Sequence, residues 1–536
     1  MVYVVFALQL WLVVAAMAAL RPSNRWPFSF LAFPVGFAAG ELPVQAIVVD
    51  GALVAGLRWW GWPSATWQVV AVLVLGGVIV AENLALIAVQ LIARRVVRRA
   101  MATAPRRPLP IGRVGQDAFG RWWRTMLQIP FAPRAMVRTN DVAYGSHPRQ
   151  RLDVWRTAVT PLGAPVLFYI HGGSWTFGDK REQARPMLHE FVAQGWIVVT
   201  ANYRFAPSNP WPAQIEDVTR VVGWIKRNIV KYGGDPDRLV VAGGSAGGHL
   251  AALVALAPDE QWRPSGSDLI TDWSVRGCIS LYGVLEMTGD ESLWRGKGSG
   301  LLHLLENRVV QQRKTEVPHV FEEISPYHRI RPDAPPFLVV QGSTDSLVDV
   351  GVARSFTRRF LEVALAPLYY VELPLTQHSY DLVASPRSSA TTRAAVAFAT
   401  AVARPRPTLD PALAALYEAP PVLVEVADGS DAWRAATEVA AERGEFFVVT
   451  PDNPYSQRDE ARDDEADHAE MRALLAQRGW TWLPARNRDS RGQWPDEHGY
   501  ALFGIDAAHA RGLAAYFNQH AFYVVDAKAC RVVPTL

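Results

Sequence analysis

Residues 240–257 read VVAGGSAGGHLAALVALA, and this stretch decides the fold. A buried strand (Leu239–Ala242) runs directly into an apolar, helix-like segment through a turn made of glycine and other small residues. Most turns do not need such smallness. Gly243-Gly244-Ser245-Ala246-Gly247 is a G-x-S-x-G pentapeptide between strand and helix, the context in which a serine oxygen is projected from a strained turn into a cleft. Small neighbours let the strand and helix backbones approach closely. At the helix N-terminus, unsatisfied N–H groups favour developing negative charge.

The rest of such a reaction centre is present in order. YIHGGSW, residues 169–175, ends another buried strand in two glycines, whose N–H groups can face a substrate oxygen with no side chain in the way. Gly172, Gly173 and Ala246 are the expected oxyanion donors, each worth about 2.7–4 kcal/mol. His171 and Trp175 support that loop, as Gly243 and Gly247 support the turn around Ser245. A serine needs a base, and the base needs an orienting carboxylate. VVQGSTDSLVDV (339–350) supplies Asp345 at a strand end, and LPLTQHSYDLV (373–383) supplies His378 after the next strand. Ser245, Asp345, His378 is the chain order of this architecture. Asp349 is the alternative acid and His328 the alternative base, although His328 precedes the acid. His171 is a third histidine near the glycines, read as bracing. Glu216 and Asp217 fall in a helical segment and read as packing or cap contacts.

Around these motifs, short apolar runs alternate with amphipathic segments. They are PVLFYI, WIVVTA, RLVVAGG, GCISLY, FLVVQG and LYYVEL, separated by patterns such as AQIEDVTRVVGWIKRN. This alternation predicts an α/β fold, a doubly wound, mostly parallel sheet covered on both faces, with ligands beyond the strands' carboxyl ends. Residues 282–331 break the alternation and read as a lid insertion over the active face.

The pattern of five motifs in order, HGGSW, YRFAPSNPWPAQIEDV, GGSAGGHLA, GSTDSLV and HSY, resembles the hormone-sensitive-lipase-like carboxylesterases of the α/β-hydrolase superfamily. The GSAGG turn and the HGG-x-W loop are also similar to bacterial membrane-bound esterases and isoprenylcysteine methylesterases. The resemblance covers about Val142 to Ala403. It implies hydrolysis of carboxylic esters through an acyl-enzyme, with no metal and no cofactor. Ser174 stands where many relatives carry glycine, which bears on the oxyanion donors and on acyl size. An acyltransferase using the same triad and a non-catalytic membrane scaffold or sensor are the alternatives.

Upstream, residues 2–20 (VYVVFALQLWLVVAAMAAL) carry no charge and are long enough to cross a hydrocarbon core of about 30 Å. AMA resembles a signal-peptide cleavage site, but the basic n-region of such a peptide is missing. Further spans are expected at about Val44–Trp60 and Trp67–Ile92, with Trp59, Trp60, Trp62 and Trp67 as an aromatic belt. FSFLAFPVGFAAG (28–40) lies in the interface or adds a fourth crossing. With three spans Arg21, Arg25 and the arginines of ARRVVRRA fall on one side. The positive-inside rule makes that side cytoplasmic and places the remaining chain there. Glu82 sits within the third apolar stretch and is expected to face neighbouring helices or the surface.

The chain has 536 residues, half of them hydrophobic, and a net charge of +3. The length calls for several domains, and the charge does not suggest a nucleic-acid partner. Cys278 and Cys530 stand far apart, in no zinc or disulfide pattern. The expected division is 1–100 membrane anchor, 101–141 linker, 142–403 hydrolase-like domain and 405–536 a small α+β domain. ARPRPTLDP (403–411) is the joint. VVTPDNPYS and HGYALFGIDAAHARGLAAYFNQHAFYV resemble a small bacterial domain family of unknown function. Asp467, His468 and Glu470 lie together on its charged helix. Neighbouring helix positions point apart, so they read as a solvated face and not as metal ligands. The expected partner is a small-molecule or lipid ester; oligomeric state is not legible.

Overall fold

The computed structural model describes residues 2–21, 28–103, 109, 136–256, 262–263, 273–295, 298–406, 422–427, 432–453, 464–489 and 496–535. Most of the expected 101–141 linker, and much of the 403–411 joint, lie outside the described residues. Two compact units are present. One comprises Met1–Arg329, Pro335–Phe360 and Pro367–Arg404; the other comprises Ile330–Ala334, Leu361–Ala366 and Pro405–Leu536.

In the first unit an eight-stranded sheet has the order β1 (Met136–Ala143), β2 (Arg151–Thr157), β4 (Ile197–Ala201), β3 (Ala164–Ile170), β5 (Gly234–Gly244), β6 (Gly277–Leu281), β7 (Phe337–Gly342), β8 (Leu368–Leu373). The first three strands in that order pair antiparallel, and all the others pair parallel. This is the expected doubly wound, mostly parallel sheet. Its period of two is explicit in the core: Leu167 and Tyr169, Val240 and Ala242, Ile279 and Leu281, Leu338 and Val340, Val371 and Leu373 all join one buried cluster. That face is covered by α5 (Arg185–Ala193) through Leu188 and Phe191, and by α12 (Pro386–Val402) through Ala394, Ala395 and Phe398. Helices α6 (Ala213–Asn228) and α7 (Ala246–Leu256) pack together, with α7 against β5 and β6. Between β6 and β7 the expected insertion folds as short helices α8 (Glu291–Trp294), α9 (Gly298–Leu304) and α10 (Pro318–Glu323). After β7, α11 (Val350–Val363) completes the alternation.

Four N-terminal helices precede the sheet: α1 (Val2–Leu20), α2 (Phe28–Glu41), α3 (Pro43–Trp60) and α4 (Thr66–Ala102). By length and apolarity α1 and α4 can each cross a membrane, while α3, with Asp50 and Arg58, does so only when joined to Phe33–Glu41 across an 84° bend. The bend falls at Leu42, which is non-helical, and Pro43 then opens α3 with no N–H to continue the ladder. Val5 packs with Leu57 and Val72, and Ala16 and Ala19 with Leu86, so α1 and α4 run parallel and α3 runs against them. The centre of this bundle holds polar groups: Gln9 Nε2 donates to Asp50 Oδ1 (2.8 Å) and to the Val72 carbonyl (3.1 Å). Glu82 on α4 is half-buried.

One boundary differs from the sequence reading. Helix α4 runs on past the expected span, 37 residues in all, about 55 Å at 1.5 Å per residue. Its buried side chains Val72, Ile79, Asn83, Leu86, Gln90, Ala93, Val97 and Met101 recur at spacings that keep them on one stripe, and the last three enter the core under the sheet. The helical region and the sheet are therefore one unit, where the sequence division set an anchor apart from a hydrolase-like domain.

The second unit is a seven-stranded, wholly antiparallel sheet in the order β10 (Trp433–Ala435), β9 (Val422–Ala427), β12 (Thr481–Asp489), β13 (Glu497–Phe503), β11 (Phe446–Val449), β14 (Ala521–Val525), β15 (Cys530–Pro534). Helices α14 (Asp464–Arg478) and α15 (Ala507–Tyr516) contribute Met471, Leu475 and Leu513 to one core. Helix α13 (Ala436–Arg443) contributes Val439 and Ala440 to the other. His468 turns inward to Asp452 Oδ1 (2.8 Å) and the Tyr500 hydroxyl (3.0 Å).

Candidate active site

The turn after β5 explains its own composition. Ser245 has φ 55°, in the left-handed region that non-glycine residues avoid, at a cost on the order of 1–3 kcal/mol. A Cβ on Gly243 would lie 2.3 Å from the Gly247 backbone, and one on Gly247 would lie 2.0 Å from the Ile170 carbonyl oxygen. Only glycine fits both. The Ser245 N–H donates to the Leu281 carbonyl (3.0 Å), and the Ser245 carbonyl accepts from the His249 N–H (3.0 Å), opening α7. The Ser245 hydroxyl is half-buried and has no hydrogen-bond partner among the described residues.

At the ends of β7 and β8, Asp345 and His378 meet. His378 Nδ1 lies 2.8 Å from Asp345 Oδ2, both side chains almost fully buried. Asp345 Oδ2 also accepts from Gln341 Nε2 (2.9 Å), and its Oδ1 accepts from the Leu347 and Val348 amides (2.9 Å each). The Gln377 side-chain carbonyl ties the loops together, accepting from the Ser346 amide (2.7 Å) and the His378 amide (2.9 Å). Asp349 instead accepts from the Gly351 amide (2.7 Å) at the start of α11. His328 is exposed on a short turn in the insertion. Asp217 is buried against Arg204 and Gln150, and Glu216 pairs with Arg204.

Tyr282 bridges the serine turn and the histidine. Its ring centroid is 4.6 Å from that of His378, and a Cβ on Gly244 would lie 2.6 Å from its hydroxyl oxygen. The hydroxyl donates to Asp381, whose carboxyl burial holds above the usual carboxylate range. Gly244, which precedes Ser245, and His378 thus share a neighbour, although no direct hydrogen bond joins Ser245 to His378 among the described residues. Such a bond commonly tightens only with substrate in place.

One oxyanion assignment changes. The Gly172 N–H is taken up by Gln183 Oε1, to which it donates at 2.7 Å. A glutamine eleven residues onward carries no motif signal, so the sequence did not reveal it. The Gly173 and Ala246 N–H groups have no acceptor among the described residues. Gly173 has φ 120°, and a Cβ there would lie 2.0 Å from the Phe177 carbonyl oxygen, so glycine is required.

Two histidines brace the loop. His171 stacks on Tyr203 with centroids 4.5 Å apart and donates through Nδ1 to the Gly172 carbonyl (2.7 Å). Trp175 Nε1 donates to His249 Nδ1 (3.2 Å), and His249 Nε2 donates to the Ile324 carbonyl (2.7 Å). Burial pushes both imidazoles down to about 4. An unfolded histidine takes up a proton near pH 6.5, so between about 6.5 and 4 the unfolded chain binds more protons and stability falls as pH falls. We expect a loss of about 2 kcal/mol per histidine between neutral pH and about pH 5. Thermal unfolding across that range measures it, and a flat melting temperature would contradict buried neutral rings here.

The chain matches the BD-FAE family model over residues 152–360, and the family described as "Protein of unknown function (DUF3293)" over residues 449–522. Among curated proteins of Mycobacterium tuberculosis it is 42% identical to "Probable carboxylic ester hydrolase LipM" over 262 residues, covering 48% of this chain and 60% of that protein. It is 37% identical to "Esterase LipQ", covering 49% of this chain and 63% of that protein. It is 38% identical to "Esterase LipC", covering 51% of this chain and 67% of that protein. The matched part thus spans less than two thirds of LipM and LipQ, and about two thirds of LipC. With a G-x-S-x-G turn after β5, a carboxylate–imidazole pair after β7 and β8, and this likeness to LipC, the chain belongs to the hormone-sensitive-lipase-like esterases of the α/β-hydrolase superfamily.

Proposed function

We propose that the protein is a membrane-anchored serine hydrolase that cleaves carboxylic esters through an acyl-enzyme. The observation that carries this reading is the 2.8 Å contact of His378 Nδ1 with Asp345 Oδ2 beside the strained Ser245 turn. The names of its relatives, a carboxylic ester hydrolase and two esterases, support the same chemistry. Ser245 Oγ attacks the ester carbonyl while His378 Nε2 takes its proton. Asp345, fixed by Gln341 and by the Leu347 and Val348 amides, holds the proton on Nδ1 and stabilises the imidazolium. The carbonyl oxygen, now negative, is received by the Gly173 and Ala246 N–H groups, with the N-terminus of α7 adding to their field. Collapse expels the alcohol, protonated by His378. Water activated by the same imidazole then releases the acid and restores Ser245.

In the bilayer, α1 and α4 cross, and α3 crosses as the longer arm of its bent pair with α2, whose own arm lies at the interface on the hydrolase side. Two observations support this. Helix α3 starts where Gln90 of α4 meets Gly40 and ends where Leu57 meets Val72. Arg21 and the Arg94, Arg95, Arg98 and Arg99 cluster then share the sheet's side, and Arg58 stands at the opposite end. By the positive-inside rule the sheet faces the cytoplasm.

A fluorophosphonate probe tests the chemistry. The expected result is a covalent adduct that peptide mapping places on Ser245 in the folded protein. Absence of any adduct on folded protein would overturn the hydrolytic reading in favour of a non-catalytic scaffold.

A further inference from the structure

The interfacial helix α2 reaches the reaction centre. The Phe33 ring meets the His378 ring edge-on, with centroids 5.9 Å apart. A Cβ on Gly36 would lie 3.5 Å from Gln377 Nε2, the side chain that ties the acid and histidine loops. At the end of α2, Arg387 of α12 is fully buried, with Nε 3.3 Å from Glu41 Oε1. Its guanidinium donates to the Leu375 carbonyl (2.9 Å), Thr376 Oγ1 (2.7 Å) and the Gly40 carbonyl (3.2 Å). The Gly40 carbonyl also accepts from Gln90 Nε2 of α4 (2.7 Å). A single buried cation therefore joins the last turn of α2 to Leu375 and Thr376, just ahead of His378.

A buried ion pair is a poor way to add stability, because an apolar pair of the same volume usually does as well or better. It does fix geometry, since a planar guanidinium has a rigid fork of donors. We infer that Arg387 and Glu41 are positioning residues. They lock α2 onto the Leu375–His378 loop, so that the aim of the His378 imidazole depends on how α2 is seated at the membrane surface. This inference rests on the esterase reading above.

The test uses the full chain in lipid vesicles, with a short p-nitrophenyl ester as substrate. Arg387→Met removes the cation beside the buried Glu41 carboxyl and the guanidinium's bonds to Leu375, Thr376 and Gly40, so both stability and turnover are expected to fall. The informative variant is the double change Glu41→Leu/Arg387→Met, which removes both charges. A purely structural pair predicts that melting temperature and kcat return together. A positioning pair predicts that melting temperature returns while kcat stays at least tenfold down, KM changes less than twofold, and the fluorophosphonate labelling rate falls with kcat. Recovery of kcat in the double variant would overturn the inference. If the double variant does not fold, Phe33→Ala decides instead. It is expected to lower kcat several-fold at unchanged KM, and an unchanged kcat would equally overturn the inference. The wild type separates the two levels of failure. No adduct on wild-type protein defeats the esterase reading itself, whereas a labelled wild type with equally labelled variants defeats only the role given to Arg387 and Glu41.

Discussion

Ser245→Ala is expected to lower kcat/KM for short esters by about 10⁴-fold or more, with the fold intact. The size follows from the chemistry: without Oγ there is no acyl-enzyme, and the residual rate comes only from the oxyanion donors and binding. The preservation of fold follows from the structure. The hydroxyl has no hydrogen-bond partner among the described residues, so its removal leaves no buried donor or acceptor stranded. Alanine keeps the Cβ and meets the same positive φ as serine, so the backbone strain at the turn is unchanged. The expected change in stability is within about 0.5 kcal/mol. Activity against a p-nitrophenyl ester and a thermal melt, both on the same preparation, measure the two halves. Turnover above a tenth of wild type would mean that another nucleophile does the work.

What the sequence made legible was what hard-sphere sterics and chain order enforce. Gly243 and Gly247 have backbone atoms of other segments where a side chain would sit, so they stand out as a motif. Asp345 and His378 follow apolar runs that can only be buried strands. The parts that stayed hidden are contacts between segments far apart in the chain. Gln183 and Tyr282 belong to no pattern, yet one takes up the Gly172 amide and the other packs against Gly244 and His378. Apolar composition could say that residues 28–40 prefer a lipid or core environment, but not that Phe33 would face the histidine. The length of α4 does have a sequence signal: Ala93, Val97 and Met101 continue the buried stripe through the arginines. Strand β1 begins at Met136, before the expected edge at Val142, because an edge strand with mostly exposed or half-buried side chains reads like a loop.

Asp345→Asn is expected to lower kcat by about 10³–10⁴-fold. The carboxylate receives two backbone amides on Oδ1, and Gln341 and His378 on Oδ2. An asparagine of the same shape must keep its oxygen toward one pair and turn its NH₂ toward the other. The backbone amides cannot move, so the oxygen stays with Leu347 and Val348, and the NH₂ faces Gln341 and His378. His378 then accepts through Nδ1 and carries its proton on Nε2, where it cannot take one from Ser245. The clash of two NH₂ groups at Gln341 adds a stability cost of about 1–3 kcal/mol unless that amide turns over. Asp349→Asn is the control, because Asp349 opens α11 and is expected to matter little for turnover. Combining Asp345→Asn with Ser245→Ala should cost scarcely more than Ser245→Ala alone, since the two act on one proton transfer. Equal losses from Asp345→Asn and Asp349→Asn, or additive losses in the double variant, would remove Asp345 from the role assigned to it.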